Sequence, residues 1–203
     1  MRRSRKAARP LSLPPQQPLR GEAKLLAALN GFRVDVSGRT ALDVGAAAGG
    51  FTRVLLQHGA AKVYAVDAGH GQLLGSLRQD ARVVNLEATN VAHLNPRLIP
   101  EVIDIVTIDV SYLSLSSAVV QLSSLRFALN AQLIGLVKPM FELRLSTAPE
   151  QPEVVARAAQ AAVAGVGAAG WQVMGLIPSP VVGSRGAVEM LLHARLRSDK
   201  PVV

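Results

Sequence analysis

Seven short apolar runs, most of them not alternating with polar residues, constrain this chain more than any other feature. They are Thr40–Gly45, Lys62–Asp67, Val83–Leu86, Ile103–Asp109, Gln132–Lys138, Gln172–Ile177 and Val188–Leu196. Near-continuous valine, isoleucine and leucine suits strands buried on both faces of a parallel sheet. Between the runs lie segments of helical pattern: Gly50–His58, Gly71–Gln79, Leu113–Leu125 and the alanine-rich Glu153–Ala169, which meets Gly170 where a helix terminator belongs. Strand–helix alternation predicts a doubly wound α/β domain with helices on both faces. The last two runs are separated only by Pro178–Ala187, too short for a crossover helix, so they are expected to pair as an antiparallel hairpin at the sheet edge. Ahead of the first strand, Glu22–Phe32 reads as a short amphipathic helix with Leu25, Leu26 and Leu29 on one side.

A length of 203 residues with 49% hydrophobic and 18% charged side chains supports one sizeable core, not two full domains. The expected organisation is a basic tail over residues 1–19 and one domain over 20–200. The longest charge-free stretch, Ala158–Ser184, is interrupted by glycines, Gly165, Gly167 and Gly170 among them, and by Pro178 and Pro180, which argues against a membrane-spanning helix. Absence of cysteine excludes disulfides, a thiol nucleophile and cysteine-based metal centres, and fits a cytoplasmic protein. The net charge of +8 is uneven: Arg2, Arg3, Arg5, Lys6, Arg9 and Arg20 occur in the first 20 residues with no acid among them. Such a proline-broken segment reads as a disordered arm that adds affinity for phosphates, with an inert linker or a targeting presequence as alternatives.

The first strand runs into Asp43-Val-Gly45-Ala-Ala-Ala-Gly49-Gly50-Phe51. A glycine-rich turn between a buried strand and a helix lets a ligand approach the backbone and exposes helix N-terminal N–H groups. Asp67 closes the second strand 22 residues after Gly45, where a carboxylate can accept hydrogen bonds from a ribose diol. Together they point to a nucleoside cofactor at the carboxyl ends of the strands. The bland alternative is a tight turn with close helix–sheet packing and an aspartate capping a strand. The pattern does not separate a nicotinamide dinucleotide from S-adenosylmethionine.

Asp109 ends the fourth strand and Lys138 the fifth, each beside a very apolar run where an isolated charge is costly. Lys24 in the leading helix and Glu189 at the start of the last strand stand in similarly apolar settings. A cluster of these four in a cleft could hold one lysine neutral, able to act as a general base. Taken singly, Lys24 reads as a solvated helix residue, Glu189 as an edge-strand charge, and Asp109 with Lys138 as a structural ion pair.

The stretches RGEAKLLAAL (20–29), VSGRTALDVGAAAGGFTRVLLQHGAAKVYAVDAGHGQLLGSLRQDARV (36–83), IDVSYLSL (108–115), LVKPMFE (136–142) and IPSPVVGSRGAVEMLLH (177–193) resemble the methyltransferase domain of the TlyA (hemolysin A) family. That family is a branch of the FtsJ-like ribosomal RNA 2′-O-methyltransferases. The resemblance implies a class I, Rossmann-like methyltransferase fold with a seven-stranded, mostly parallel sheet, and S-adenosylmethionine as cofactor. It puts the family's Lys–Asp–Lys–Glu tetrad on Lys24, Asp109, Lys138 and Glu189, the same four residues the strand ends single out. Asp43, Gly45, Ala46, Ala47, Gly49, Gly50, Phe51, Asp67, Ala68 and Asp109 are then expected around the cofactor, with its adenine near Glu87–Asn90 and Glu87 in contact. No metal is called for, because the sulfonium leaving group is already activated.

The implied substrate is a ribose 2′-hydroxyl, of a cytidine by the resemblance, in ribosomal RNA or a ribosomal subunit, with Lys138 as base. Arg144, Arg185 and the tail are candidate RNA contacts. Relatives usually carry an N-terminal RNA-binding domain, where this chain has only its tail, and Glu22 replaces a usual glycine beside Lys24. The competing readings are a non-catalytic ribosome-assembly module, a membrane-active hemolysin-like protein, a nicotinamide-dependent oxidoreductase and a small-molecule methyltransferase. No stable membrane insertion is expected.

Overall fold

The computed structural model describes residues 18–149, 151–183 and 186–197. The expected arm, apart from Pro18 and Leu19, and Arg185 lie outside the described residues.

Seven strands form a single sheet: β1 (Thr40–Val44), β2 (Lys62–Val66), β3 (Val83–Leu86), β4 (Ile103–Ile108), β5 (Phe127–Val137), β6 (Trp171–Pro178) and β7 (Met190–Leu196). Their order is β3-β2-β1-β4-β5-β7-β6. The first five pair in parallel, while β7 runs antiparallel to both β5 and β6. The expected edge hairpin therefore forms with β7 tucked inside and β6 at the rim. The chain leaves β1 toward β2 on one side and reaches β4 on the other, so the reversal of strand order falls between β1 and β4. In an open α/β sheet that is where a ligand crevice opens, outside the carboxyl ends of the strands.

Both faces are covered because successive strand residues point to opposite sides. Leu42, Val106 and Leu133 face one way, with α4 (Leu115–Val120) and α6 (Pro152–Ala168) on that side. Ala41, Ile105 and Ile134 face the other, with α1 (Arg20–Phe32) and α2 (Gly50–Gln57). The helix α6 buries Ala158, Ala162 and Val166, a spacing of four that keeps one thin stripe against the sheet, and it ends just before Gly170 at φ 90°. On the opposite face Phe32 of α1 stacks on His193 of β7, ring centroids 5.1 Å apart. His193 in turn meets Gln132 Oε1 of β5 at 2.7 Å.

Three segments depart from the sequence expectation. The helix expected over Gly71–Gln79 contracts to α3 (Gly75–Arg78), because the backbone N–H groups of Gln72 and Leu73 are drawn instead to the Glu87 carboxylate. The helix expected over Leu113–Leu125 is limited to Leu115–Val120, since Ser114 caps its start and the chain turns at Gln121. Strand β5 begins earlier than expected, at Phe127, with Asn130 at φ 61° and a register shift opposite Ile103–Ile105. A single turn, α5 (Pro139–Glu142), follows Lys138 at once, its proline at the first helical position where the missing N–H costs nothing.

Candidate active site

The turn after β1 is drawn toward both neighbouring strands. The N–H groups of Gly45 and Ala46 both donate to the Val66 carbonyl, at 2.8 and 3.0 Å, and Asp109 N–H donates to the Val44 carbonyl at 2.9 Å. Gly45 sits at φ 86°, and a Cβ there would lie 2.4 Å from the Asp109 carbonyl oxygen. Only glycine satisfies both the backbone angle and the approach of the β4 end. Beneath the turn, the fully buried Asp43 accepts from the hydroxyls of Thr52 at 2.6 Å and Thr107 at 2.8 Å, which joins β1, α2 and β4. Burial pushes the Asp43 carboxyl up to about 6, against the opposing pull of those two hydroxyls.

At the end of β2, the Asp67 carboxylate accepts from Ala47 N–H at 2.8 Å and Gly69 N–H at 2.7 Å. One lone pair on each oxygen is thereby used for orientation, and the others remain for a ligand diol. A cavity of about 290 Å³ opens here, lined by Gly45, Ala47, Asp67, Ala68, Thr89, Asp109 and Tyr112 among others. A glycine cradle that a Cβ would fill, next to an oriented carboxylate, fits the ribose and backbone-approaching parts of a nucleoside cofactor.

A second cavity, about 340 Å³, shares Gly45, Ala47, Asp109 and Ser111 with the first and extends toward Lys24, Lys138 and Glu189. Its far wall carries Arg20, Phe141, Pro149 and Val188. Four charged groups form a continuous chain along it. Lys138 Nζ stands 2.6 Å from Asp109 Oδ1, Lys24 Nζ 3.7 Å from Asp109 Oδ2, and Lys24 Nζ 2.6 Å from Glu189 Oε2. Lys138 Nζ also donates to Ser111 Oγ at 2.8 Å. Lys24 and Glu189 are buried, at 7% and 6% exposure, so each is tolerable only because the other neutralises it. Residues from α1, β4, β5 and the approach to β7, up to 165 positions apart, are thus brought to one place.

The structure brings together some of the residues singled out from sequence and separates others. Gly45, Ala47, Asp67, Ala68 and Asp109 line the first cavity; Lys24, Asp109, Lys138 and Glu189 line the second. Asp43, Ala46, Gly49, Gly50, Phe51 and Glu87 are not among the lining residues of either. The first five lie in or beneath the turn, where they pack it. Glu87 spends its carboxylate on Gln72 N–H, Leu73 N–H and Asn85 Nδ2, bonds that hold it down to about 2, and of the Glu87–Asn90 segment it is Thr89 that reaches the cavity. Arg144, exposed at φ 53°, lines neither cavity. Sequence reasoning passed over Ser111, Tyr112 and Glu142. The first two directly follow the end of β4, a position that faces the crevice in any such sheet. Glu142 accepts from Leu115 N–H at 2.5 Å and Ser116 Oγ at 3.1 Å, tying the segment after Lys138 to the start of α4. Burial raises its carboxyl above the ordinary range.

A parallel sheet reversed between β1 and β4, an antiparallel last strand inserted beside β5 and a nucleoside cradle at the switch point define a class I methyltransferase fold. Among solved structures of this architecture, the S-adenosylmethionine dependent methyltransferase from Mesorhizobium loti superposes with a TM-score of 0.60 at 13% identity, covering 85% of this chain and 97% of its own. The model of the FtsJ-like methyltransferase family matches residues 19–196, and the chain belongs to that family, with S-adenosylmethionine as its cofactor. The chain is 41% identical over 186 residues to the 16S/23S rRNA (cytidine-2′-O)-methyltransferase TlyA of Mycobacterium tuberculosis, spanning 89% of this chain and 69% of that protein. It is 32% identical to hemolysin A of Brachyspira hyodysenteriae, over 86% of this chain and 75% of that one. The structure named "Putative hemolysin from Streptococcus thermophilus" superposes with a TM-score of 0.84 at 35% identity, over 90% of this chain and 67% of that one.

Proposed function

We propose that this protein methylates a ribose 2′-hydroxyl of ribosomal RNA, with Lys138 as general base. The observation that carries the reading is the chain Lys138–Asp109–Lys24–Glu189, set where the cofactor cavity opens into the second cavity. Similarity to the TlyA enzyme supports ribosomal RNA as the substrate, and cytidine as the nucleotide. A ribosomal substrate supports a cytoplasmic location. Among the described residues no helix is long and apolar enough to cross a membrane.

When bound, S-adenosylmethionine supplies a methyl group on a positively charged sulfur, activated for attack by an oxygen nucleophile. Gly45, Ala47, Asp67 and Thr89 would hold the nucleoside end, with the Asp67 carboxylate free to accept from ribose hydroxyls. Lys138 Nζ has two of its three hydrogen-bonding directions committed to Asp109 and Ser111, which leaves the third for the substrate hydroxyl. Unprotonated, Nζ takes the 2′-hydroxyl proton through that direction as the oxygen attacks. Asp109 steadies the ammonium that results, while Lys24 balances Asp109 and Glu189 balances Lys24. General-base action of this kind contributes roughly 10²–10⁴-fold, and alignment of the reactants removes about 7–11 kcal/mol of barrier.

Lys138→Ala tests the assignment. The variant is expected to bind S-adenosylhomocysteine with wild-type affinity in a calorimetric titration and to lose at least a hundredfold in methyl transfer. Retention of most of the turnover would remove Lys138 as the base.

A further inference from the structure

Three residues in the first two turns of α1 reach three different elements. Arg20 donates to the Val182 carbonyl at 2.7 Å, on the approach to β7. Lys24 bridges Glu189 and Asp109 within the tetrad. Glu22, between them, accepts from Arg53 Nη1 of α2 at 2.6 Å and from Leu19 N–H at 3.0 Å. The two helices touch at backbone level there: a Cβ on Gly50 would lie 3.1 Å from Gly21 Cα, and one on Gly21 would lie 3.2 Å from the Phe51 ring. The helix that carries Lys24 therefore rests on the start of the helix that leaves the cofactor turn.

Neither Glu22 nor Arg53 lines either of the two cavities described above, and the proposed chemistry uses neither. Both side chains are nevertheless largely buried, at 15% and 11% exposure. Arg53 Nη2 is buried without a hydrogen-bond partner. A shielded ion pair with one nitrogen left unsatisfied is a poor device for stability alone, and such a group calls for another explanation. Its geometric effect is plain, because it fixes the register of α1 on α2 two residues before Lys24.

We propose that Glu22 and Arg53 are a positioning pair, which sets Lys24 between Glu189 and Asp109 by holding α1 against α2. The inference rests on the tetrad reading given above. Lys24 Nζ stands at 2.6 Å from one carboxylate and 3.7 Å from the other, so a displacement of α1 by about 1 Å breaks one contact. Misplacements of that size at a catalytic centre cost on the order of 10²-fold.

The test uses the full chain with tritiated S-adenosylmethionine and ribosomal subunits, and reads in parallel the acetylation rate of Lys24 by mass spectrometry. Arg53→Met, which keeps the apolar stem and removes the charge, is expected to lower kcat about 10- to 100-fold, with KM for S-adenosylmethionine within threefold. Lys24 should acetylate several times faster in that variant. The exchanged pair, Glu22→Arg with Arg53→Glu, is expected to recover kcat to within about threefold of wild type, which either single reversal should not do. A folded Arg53→Met with kcat within twofold of wild type would overturn the proposal. So would an exchanged pair no better than the single reversals, or affinity for S-adenosylhomocysteine falling in step with kcat, which would assign the pair to the cofactor turn. If Arg53→Met does not fold, Glu22→Gln replaces it. Single variants that unfold beside a folded, fully active exchanged pair would make the ion pair a stability element only and also overturn it. Absence of transfer by the wild type would refute the tetrad reading; the Lys24 acetylation rates then decide the positioning claim by themselves.

Discussion

Among individual residues, Asp43 shows how a buried group can be both structural and titratable. Its carboxyl is pushed up to about 6 from an ordinary 3.8, so the folded protein holds this proton more tightly than the unfolded chain does. The contribution to stability is therefore full below about pH 4 and is lost as pH rises through about 6. Asparagine in its place can still accept from one threonine and donate to the other, without a charge to desolvate. The melting temperature of Asp43→Asn relative to wild type is expected to rise between pH 4.5 and pH 7, measured by circular dichroism; a difference independent of pH would contradict this account. Sequence pointed to Asp43 as a cofactor contact because it lies in the glycine-rich motif. Only the fold shows that it faces Thr52 and Thr107 instead, since the partners stand 9 and 64 residues away. The charged residues beside apolar runs were more legible. Lys24, Asp109, Lys138 and Glu189 stood out because burying a lone charge is costly, and the structure brings all four together.

Among elements, strand positions were readable from composition, because strands buried on both faces leave continuous valine, isoleucine and leucine runs. All seven runs became strands, with Val83–Leu86 at the expected bounds. Helix extent was less readable where tertiary hydrogen bonds competed with the helical ladder. Glu87 captured the N–H groups of Gln72 and Leu73, and the expected helix lost its first turn. The one-turn helix α5 left no periodic signal, yet through Glu142 it connects the strand end that carries Lys138 to α4. The contact between the β1 turn and the β4 end is equally invisible in sequence. It makes a direct prediction: in Gly45→Ala the new methyl meets the Asp109 carbonyl at a left-handed backbone angle, with strain of about 1–3 kcal/mol. Calorimetric titration should show S-adenosylhomocysteine affinity reduced tenfold or more, and wild-type affinity would mean that this junction does not shape the cofactor site.

For the molecule as a whole, charge is unevenly divided along the chain. Residues 21–203 carry 16 basic and 14 acidic side chains, a net of +2, whereas the first 20 contribute six positive charges and no negative ones. On the proposed function, the body supplies the chemistry and the segment supplies affinity for phosphates. Each neutralised phosphate steepens the dependence of binding on salt by about 0.7–0.9 in a log–log plot. Deleting residues 1–17 removes five of those charges and is expected to flatten the slope for ribosomal RNA by up to about 4, read by filter binding across salt concentrations. An unchanged slope would make the segment a linker. Ribose methylation of ribosomal RNA through Lys138 is tested by transfer of radiolabelled methyl from S-adenosylmethionine to ribosomal RNA, free and in subunits, followed by mapping of 2′-O-methyl nucleotides. The predicted result is label at a ribose 2′-oxygen with wild-type protein and none with Lys138→Ala. Label on a base, or no label on either form of the RNA from a protein that binds S-adenosylmethionine, would contradict it.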